Sequence, residues 1–194
     1  MKKVINCAIL CTIIVINLSG QDIATLSLKA NNGDSEAQYQ LGQCYRNGDG
    51  VKRNKKVAYS WFLKSAEQNN PDGQELLGFC YYNGFGIKKD VRKAYYWFEK
   101  SAMQGDVFSQ VNCGNMCYYG LGTLKDFKKA FYWYEKAANQ DDAYAQYHIA
   151  IFYYEGKYVT KSNKLAAYWM EKAYINGNDD AKRAWNFLKL WQYK

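Results

Sequence analysis

The sequence predicts an all-α fold, a right-handed α/α superhelical solenoid of about four 36-residue helix-turn-helix repeats with terminal capping helices. Three observations carry this expectation. Sliding the chain against itself by 36 residues brings Trp61, Trp97, Trp133 and Trp169 into one column. The same shift aligns Ala58, Ala94, Ala130 and Ala166, and also Lys64, Lys100, Lys136 and Lys172. The register survives four copies without an insertion, and a period of roughly 20 to 50 residues is the signature of a stacked array. Every copy also carries two helix starts separated by a glycine turn.

Taken in order, residues 1–20 read as a secretory signal peptide: Lys2 and Lys3, an apolar run from Val4 to Leu18, then Ser19-Gly20 before the polar Gln21. The run contains Asn6 and Asn17 and falls short of the about 20 apolar residues that span a bilayer. A secreted or periplasmic protein with no stable membrane span after signal cleavage is therefore expected. A lipoprotein would need a cysteine where Gln21 stands. Cleavage removes Lys2 and Lys3 and no acid, lowering the formal charge from +8 to +6. It also removes Cys7 and Cys11, leaving Cys44, Cys80, Cys113 and Cys117 in a compartment where disulfides persist.

Residues 21–30 align with the latter part of a second helix and are expected to cap the array. Four repeats follow at 31–66, 67–102, 103–138 and 139–174, and residues 175–194 supply a C-terminal capping helix. Asp34, Asn70, Asp106, Asp142 and Asn178 stand at the N-cap of each first helix, where a side-chain oxygen accepts from an orphan backbone N–H. Pro71 takes the first helical position after Asn70, where its missing N–H costs nothing. Asn54, Asp90, Asp126 and Ser162 cap the second helices. Between the two helices lie Gly48 with Gly50, Gly84 with Gly86, and Gly120 with Gly122, supplying backbone angles that bulkier residues resist.

The phrase Ala-x-x-x-Leu-Gly-x-x-Tyr-x-x-Gly-x-Gly-Val, followed by Ala-x-x-Trp-x-x-Lys, is clearest in residues 37–64. It resembles the Sel1-like repeat family, relatives of the tetratricopeptide solenoids, over about residues 30–174. The fourth copy departs, with Ala150 for the packing glycine and Tyr158 for the second turn glycine. The resemblance implies a scaffold for assembly, signalling or host contact, or an immunity protein neutralising a secretion-system effector in the periplasm. Through cysteine-rich relatives it also implies a β-lactam-binding or β-lactamase-like hydrolase. Those relatives, from Helicobacter, carry a cysteine pair in each repeat, a regularity absent here.

Cys44 and Cys80 share a column with Met116 and Phe152, Cys113 one with Leu41, Leu77 and Ile149, and Cys117 replaces Tyr45 and Tyr81. Each position asks for an apolar side chain, and free cysteine packs as a small hydrophobe. The alternative is a disulfide between neighbouring first helices, pairing Cys80 with Cys44, Cys113 or Cys117. No histidine falls near these columns and no Cys-x-x-Cys occurs, so neither a metal nor another cofactor is expected.

His148 is the only histidine, and no serine or cysteine nucleophile recurs at a spacing that would accompany it, so no catalytic residue is assigned and the chain is not expected to be an enzyme. The basic residues start the second helices (Lys55, Lys56, Arg92, Lys93, Lys128, Lys129, Lys164), spreading charge over the outer layer, and no nucleic-acid partner is expected. On each first helix the repeated columns pack while the changing columns face a concave groove. Along it Glu36, Asp72 and Glu75 give way to Tyr39, Phe79, Tyr82, Phe108, Tyr118, Tyr119, Tyr144, Tyr147, Ile151 and Tyr154. Exposed aromatic rings bury large area at low entropic cost, so these residues are the expected contacts for another protein or peptide. Tyr82, Tyr118 and Tyr154, one to a repeat, are expected to project toward it.

Overall fold

The computed structural model describes residues 20–193. The signal-peptide reading falls on residues 1–20 and so, Gly20 aside, lies outside the described residues. A helix α1 (Gly20–Asn31) leads into four helix pairs: α2 (Ser35–Asn47) and α3 (Lys55–Glu67), α4 (Pro71–Asn83) and α5 (Val91–Met103), α6 (Val107–Tyr119) and α7 (Phe127–Ala138), α8 (Ala143–Glu155) and α9 (Asn163–Ile175). Each helix packs on the next in sequence. The result is an all-α helix-turn-helix solenoid. The first helices α2 and α4 also touch directly.

The nine capping side chains named from the sequence all accept from backbone amides at the start of their helices, as Asp34 does from Ala37 at 2.8 Å and Asp142 from Ala145 at 2.7 Å. Each first helix ends on a left-handed glycine, Gly48, Gly84, Gly120 or Gly156. The chain then returns so that the N–H of the next N-cap reaches the last turn just completed: Asn54 to Tyr45, Asp90 to Tyr81, Asp126 to Cys117 and Ser162 to Tyr153, at 2.8 to 2.9 Å.

Within a repeat the two helices meet at one small residue and one large one. A Cβ on Gly42, Gly78 or Gly114 would lie 2.5, 2.8 or 2.7 Å from the ring of Phe62, Phe98 or Tyr134, so only glycine lets the ring lie on the helix backbone. The fourth repeat replaces both partners: Ala150 has a methyl group, and Met170, unbranched and adaptable, takes the ring's place, both fully buried.

In the first three repeats the deepest ring is therefore the residue after the tryptophan. Trp133 is buried, but Trp61, Trp97 and Trp169 are half-buried at the rim, with Lys64, Lys100 and Lys172 held 4.2, 5.1 and 5.4 Å from their ring centroids.

Between repeats a buried glutamine joins three helices. Gln38, Gln74, Gln110 and Gln146 donate to the carbonyls of Ala30, Ala66, Ala102 and Ala138 at 3.0 to 3.4 Å, each at the end of the preceding second helix. Their own carbonyls accept from Gln68, Gln104, Gln140 and Asn176 at 2.7 to 2.9 Å, at the end of the following one.

Cys44, Cys80, Cys113 and Cys117 are free and buried in their apolar columns, so the alternative of an interhelical bridge is not what the structure contains. Burial pushes the Cys80 thiol up to about 12 and raises the other three. The C-terminal cap is shorter than a full helix. α10 (Asp179–Phe187) stops, Lys189 turns left-handed, and a 3₁₀ turn (Leu190–Tyr193) folds Leu190 back into the core, fully buried beside Met170 and Ala181. Among the described residues no helix is long and apolar enough to cross a membrane.

Phe98→Ala is expected to cost about 3 to 5 kcal/mol, as for a fully packed phenylalanine, and Trp97→Ala distinctly less, as read by thermal or denaturant unfolding. An equal loss from the two would contradict the assignment of the central column.

Candidate functional site: an aromatic groove on the first helices

The candidate site lies on the changing faces of α2, α4, α6 and α8. Its electrostatics differ from end to end. Glu36 on α2 and Asp72 and Glu75 on α4 lie near one another and near Asp106, the N-cap of α6. Burial raises Asp72, with Glu36 and Asp106 adding to the effect. Burial likewise raises the Glu75 carboxyl to about 7, Asp106 and Asp72 adding to it against the opposing pull of Arg46.

Toward the other end charge gives way to rings. His148 on α8 stacks on Tyr134 at 4.7 Å with the planes 6° apart, and Tyr144, Tyr147 and Tyr118 surround it at 4.4, 5.4 and 6.3 Å. Asn115 Oδ1 accepts from the hydroxyls of both Tyr134, at 2.7 Å, and Tyr144, at 3.0 Å, tying α6, α7 and α8 together. Burial lowers His148 to about 4 against a small opposing effect from Asp180. The imidazole is neutral at neutral pH, so the ring cluster around it carries no charge of its own, and the cation at its edge, Lys157, is paired with Glu155.

The structure thus brings Tyr118, Tyr119, Tyr144 and Tyr147 together. Tyr119 is 58% exposed and packs edge-on to Tyr118 at 4.9 Å, and Tyr144 is 40% exposed. The other expected contacts are dispersed. Phe108 is exposed and leans toward Phe98, while Ile151 packs into the C-terminal core. Tyr39 is half-buried and accepts from Gln43. Phe79 sits beside Phe85 in a cleft of about 400 Å³ with Arg46 and Arg53. Tyr82 and Tyr154 lie under Lys89 and Lys161.

Tyr118 corrects the expectation that its ring projects freely. Its hydroxyl accepts from Lys157 at 2.8 Å, and its ring packs on Phe127 and Phe152 at 5.2 and 5.9 Å. Truncating it would therefore disturb the packing of the fold.

Three members of the site were not anticipated from the sequence. Tyr134 had a signal: its column otherwise holds Phe62, Phe98 and Met170, and a hydroxyl added to an apolar column needs an acceptor. His148 and Lys157 had none, since each depends on which neighbours the next repeat presents.

The Sel1 repeat profile matches residues 35–70, 71–106, 107–142 and 143–178, well over half of the chain. The chain belongs to the Sel1-repeat family. Among solved structures, this Sel1 protein is similar to c5321, a protective antigen of uropathogenic Escherichia coli. The two are 33% identical with a TM-score of 0.81, over 84% of this chain and 35% of that one. A putative sel1-like repeat-containing protein, L18, of Acanthamoeba polyphaga mimivirus is 51% identical over 45 residues, which are 23% of this chain and 8% of that protein. The immunity protein Pa5087 of Pseudomonas aeruginosa shares the fold at 20% identity and a TM-score of 0.50, over 84% of this chain and 60% of that one. This chain thus spans only part of the length of each of these relatives.

Family and architecture are those of a Sel1-repeat solenoid. Among the described residues no group of three or more His, Cys, Asp or Glu side chains is placed to hold a metal ion.

The two titrations have opposite signs. Glu75 carries a raised folded value, so the fold binds the extra proton between about 4.5 and 7 and is destabilised as pH rises through that window. Glu75→Gln should therefore stabilise the protein at pH 8, on the order of 1 kcal/mol once solvent screening of a partly exposed group is allowed for. At pH 4 the same substitution should change little. His148 carries a lowered value, so its contribution is complete above about 6.5 and is lost as pH falls toward 4. Its ring proton resonances should hold constant from neutral pH down to the mid-fives and shift only near pH 4. A midpoint in the ordinary histidine range would contradict burial in the tyrosine cluster.

Proposed function

We propose that this Sel1 protein is an exported adaptor that binds another protein or peptide in the groove formed by its first helices. The observation that carries this reading is the pair of exposed rings, Tyr119 and Tyr144, beside a buried floor in which Asn115 accepts from Tyr134 and His148 stacks on the Tyr134 ring. Rings held in place before binding lose little freedom on contact, and such anchors dominate interface energetics. Export rests on the signal-peptide pattern of residues 1–20.

A second reading makes the partner a toxic effector and this chain its immunity protein. It draws on Pa5087, a protein of the same fold that is named for that role. Co-expression with a candidate effector tests it directly: protection of the cell that Tyr119→Ala and Tyr144→Ala abolish is the expected result, and no protection would remove the immunity role while leaving the adaptor.

For the groove itself, selection from a phage-displayed library of random dodecapeptides should enrich sequences that bind the parent chain. Tyr119→Ala should weaken these by about 1 to 3 kcal/mol, roughly 5- to 150-fold, at an unchanged melting temperature. Tyr96→Ala, on the second-helix layer, should leave them unaffected. Selected peptides sensitive to Tyr96 and indifferent to Tyr119 would place the binding face on the other side.

A further inference from the structure

A column of cations, Arg53, Lys89, Lys125 and Lys161, follows the turn after each first helix. Each packs the root of its side chain against the left-handed glycine that ends that helix. A Cβ on Gly48, Gly84, Gly120 or Gly156 would stand 3.6, 3.5, 3.3 or 3.0 Å from the Cβ of the cation. In the last three repeats the cation also has a ring to rest on: Lys89 lies over Tyr82 at 5.4 Å, Lys125 over Phe127 at 4.9 Å and Lys161 over Tyr154 at 5.4 Å.

The first repeat breaks the pattern. The column of Tyr82, Tyr118 and Tyr154 begins with Arg46, so a second guanidinium stands where the other repeats have a tyrosine. Arg46 and Arg53 line one cleft of about 400 Å³ together with Asn47, Phe79 and Phe85. Two like charges on one cleft repel each other, and three repeats out of four fold without such a pair. Packing therefore does not ask for Arg46.

The charge is not spent within the chain either. Among the described residues neither guanidinium has a carboxylate within ion-pair distance. Arg46 uses its Nε alone, donating to Asn47 Oδ1 at 3.4 Å, and Asn47 in turn donates to Asp49 at 3.0 Å. Arg46 acts on Glu75 only through space. The terminal nitrogens of both guanidiniums thus have no acceptor among the described residues. Phe79 and Phe85, tilted with centroids 6.1 Å apart, supply an apolar wall beside them. Lys55 already lies 5.4 Å from the Phe85 centroid, so the two rings serve as a wall and not as a stacking platform.

We propose that this cleft receives an acidic side chain of the protein partner, an aspartate or glutamate standing next to a large apolar residue. The proposal rests on the groove reading above and names what the partner presents to the first two repeats. A carboxylate is planar and offers about four acceptor sites, enough for both guanidiniums, whose fork geometry matches it. The apolar neighbour packs on Phe79 and Phe85. A cleft toward the lower end of the about 300 to 1,000 Å³ usual for ligand sites holds a few side chains. A nucleic-acid strand brings a charge about every 3.4 Å and would press its further phosphates on Asp49 and Glu75, whereas a single carboxylate brings no more charge than the two cations offset.

The test is selection of the random dodecapeptide library on the parent chain and, in parallel, on Arg46→Tyr, which installs the residue of the other three repeats. The selected peptides are then made with acetylated and amidated ends, so that side chains supply their only carboxylates, and their binding is read by fluorescence anisotropy. Peptides from the parent should carry an Asp or Glu beside a large apolar residue, and those from Arg46→Tyr should not. Arg46→Tyr and Arg53→Gln should each weaken the acidic peptides about 10-fold, Arg53→Lys by less because it keeps the charge and loses the fork. The melting temperature should hold or rise, since a repulsion is relieved. Changing the peptide's acid to its amide should cost the same factor and leave Arg53→Gln without further effect. Peptides selected without an acid, or bound equally by parent and Arg53→Gln, would overturn the acid site and leave the groove standing. Recovery of no peptide at all would remove both readings, and phenyl phosphate binding more tightly than the acidic peptides would make the cleft a phosphate site instead.

Discussion

The solenoid depends on one buried amide per repeat. Each glutamine of the column Gln38, Gln74, Gln110 and Gln146 is at most 5% exposed, yet both ends of its amide are satisfied, one by the helix before and one by the helix after. Leaving such a group unpaired in the interior costs about 1 to 3 kcal/mol. The glutamine is therefore at home only when three consecutive helices are in register, which couples each repeat to its neighbours more sharply than apolar contact alone would. Nearest-neighbour coupling of this kind sets the stability of a repeat array.

The same amide accounts for two residues that otherwise look misplaced. The turn before each first helix needs a left-handed residue, supplied by Gly33, Gly105 and Gly177 but by Asn69 and Asp141 in the other two copies, at φ 65° and 62°. A side chain is strained there, and here each accepts a hydrogen bond from the repeat's glutamine, Asn69 from Gln74 at 3.0 Å and Asp141 from Gln146 at 3.3 Å. The exchange of glycine and ring for Ala150 and Met170 follows a similar logic, one departure compensated by a second some twenty residues away.

With the interior fixed in this way, two outward faces are left for variation. On the groove, first-helix residues change from carboxylates that repel one another to tyrosines that pack around His148 and share Asn115 as an acceptor, so one scaffold presents an acidic end and an aromatic end. On the outer layer, the repeated tryptophan and lysine hold a tyrosine edge-on and half exposed in the second, third and fourth repeats. Thiol chemistry belongs to neither face, because burial keeps all four cysteines protonated and out of reach.

By itself the sequence determined the helix pairs, their nine caps, the glycine turns and the apolar character of the cysteine columns. These follow from rules that act within a few residues, repeated four times in phase, so local signals reinforced one another. It also distinguished the packed face of each first helix from the face left to vary, since changing columns opposite packed ones are visible from periodicity. Tertiary structure decided which ring occupies the centre, because Trp97 and Phe98 are adjacent and equally apolar and only the approach of Gly78 selects the second. It also decided that Tyr118 is a fixed member of the floor while Tyr119 is free at the surface, and that His148 is neutral. Those outcomes turn on Lys157, Asn115 and Tyr134, which lie between 14 and 39 residues away along the chain. The distance between partners is set by how one repeat stacks on the next, and periodicity reports which face a residue occupies without reporting what stands opposite.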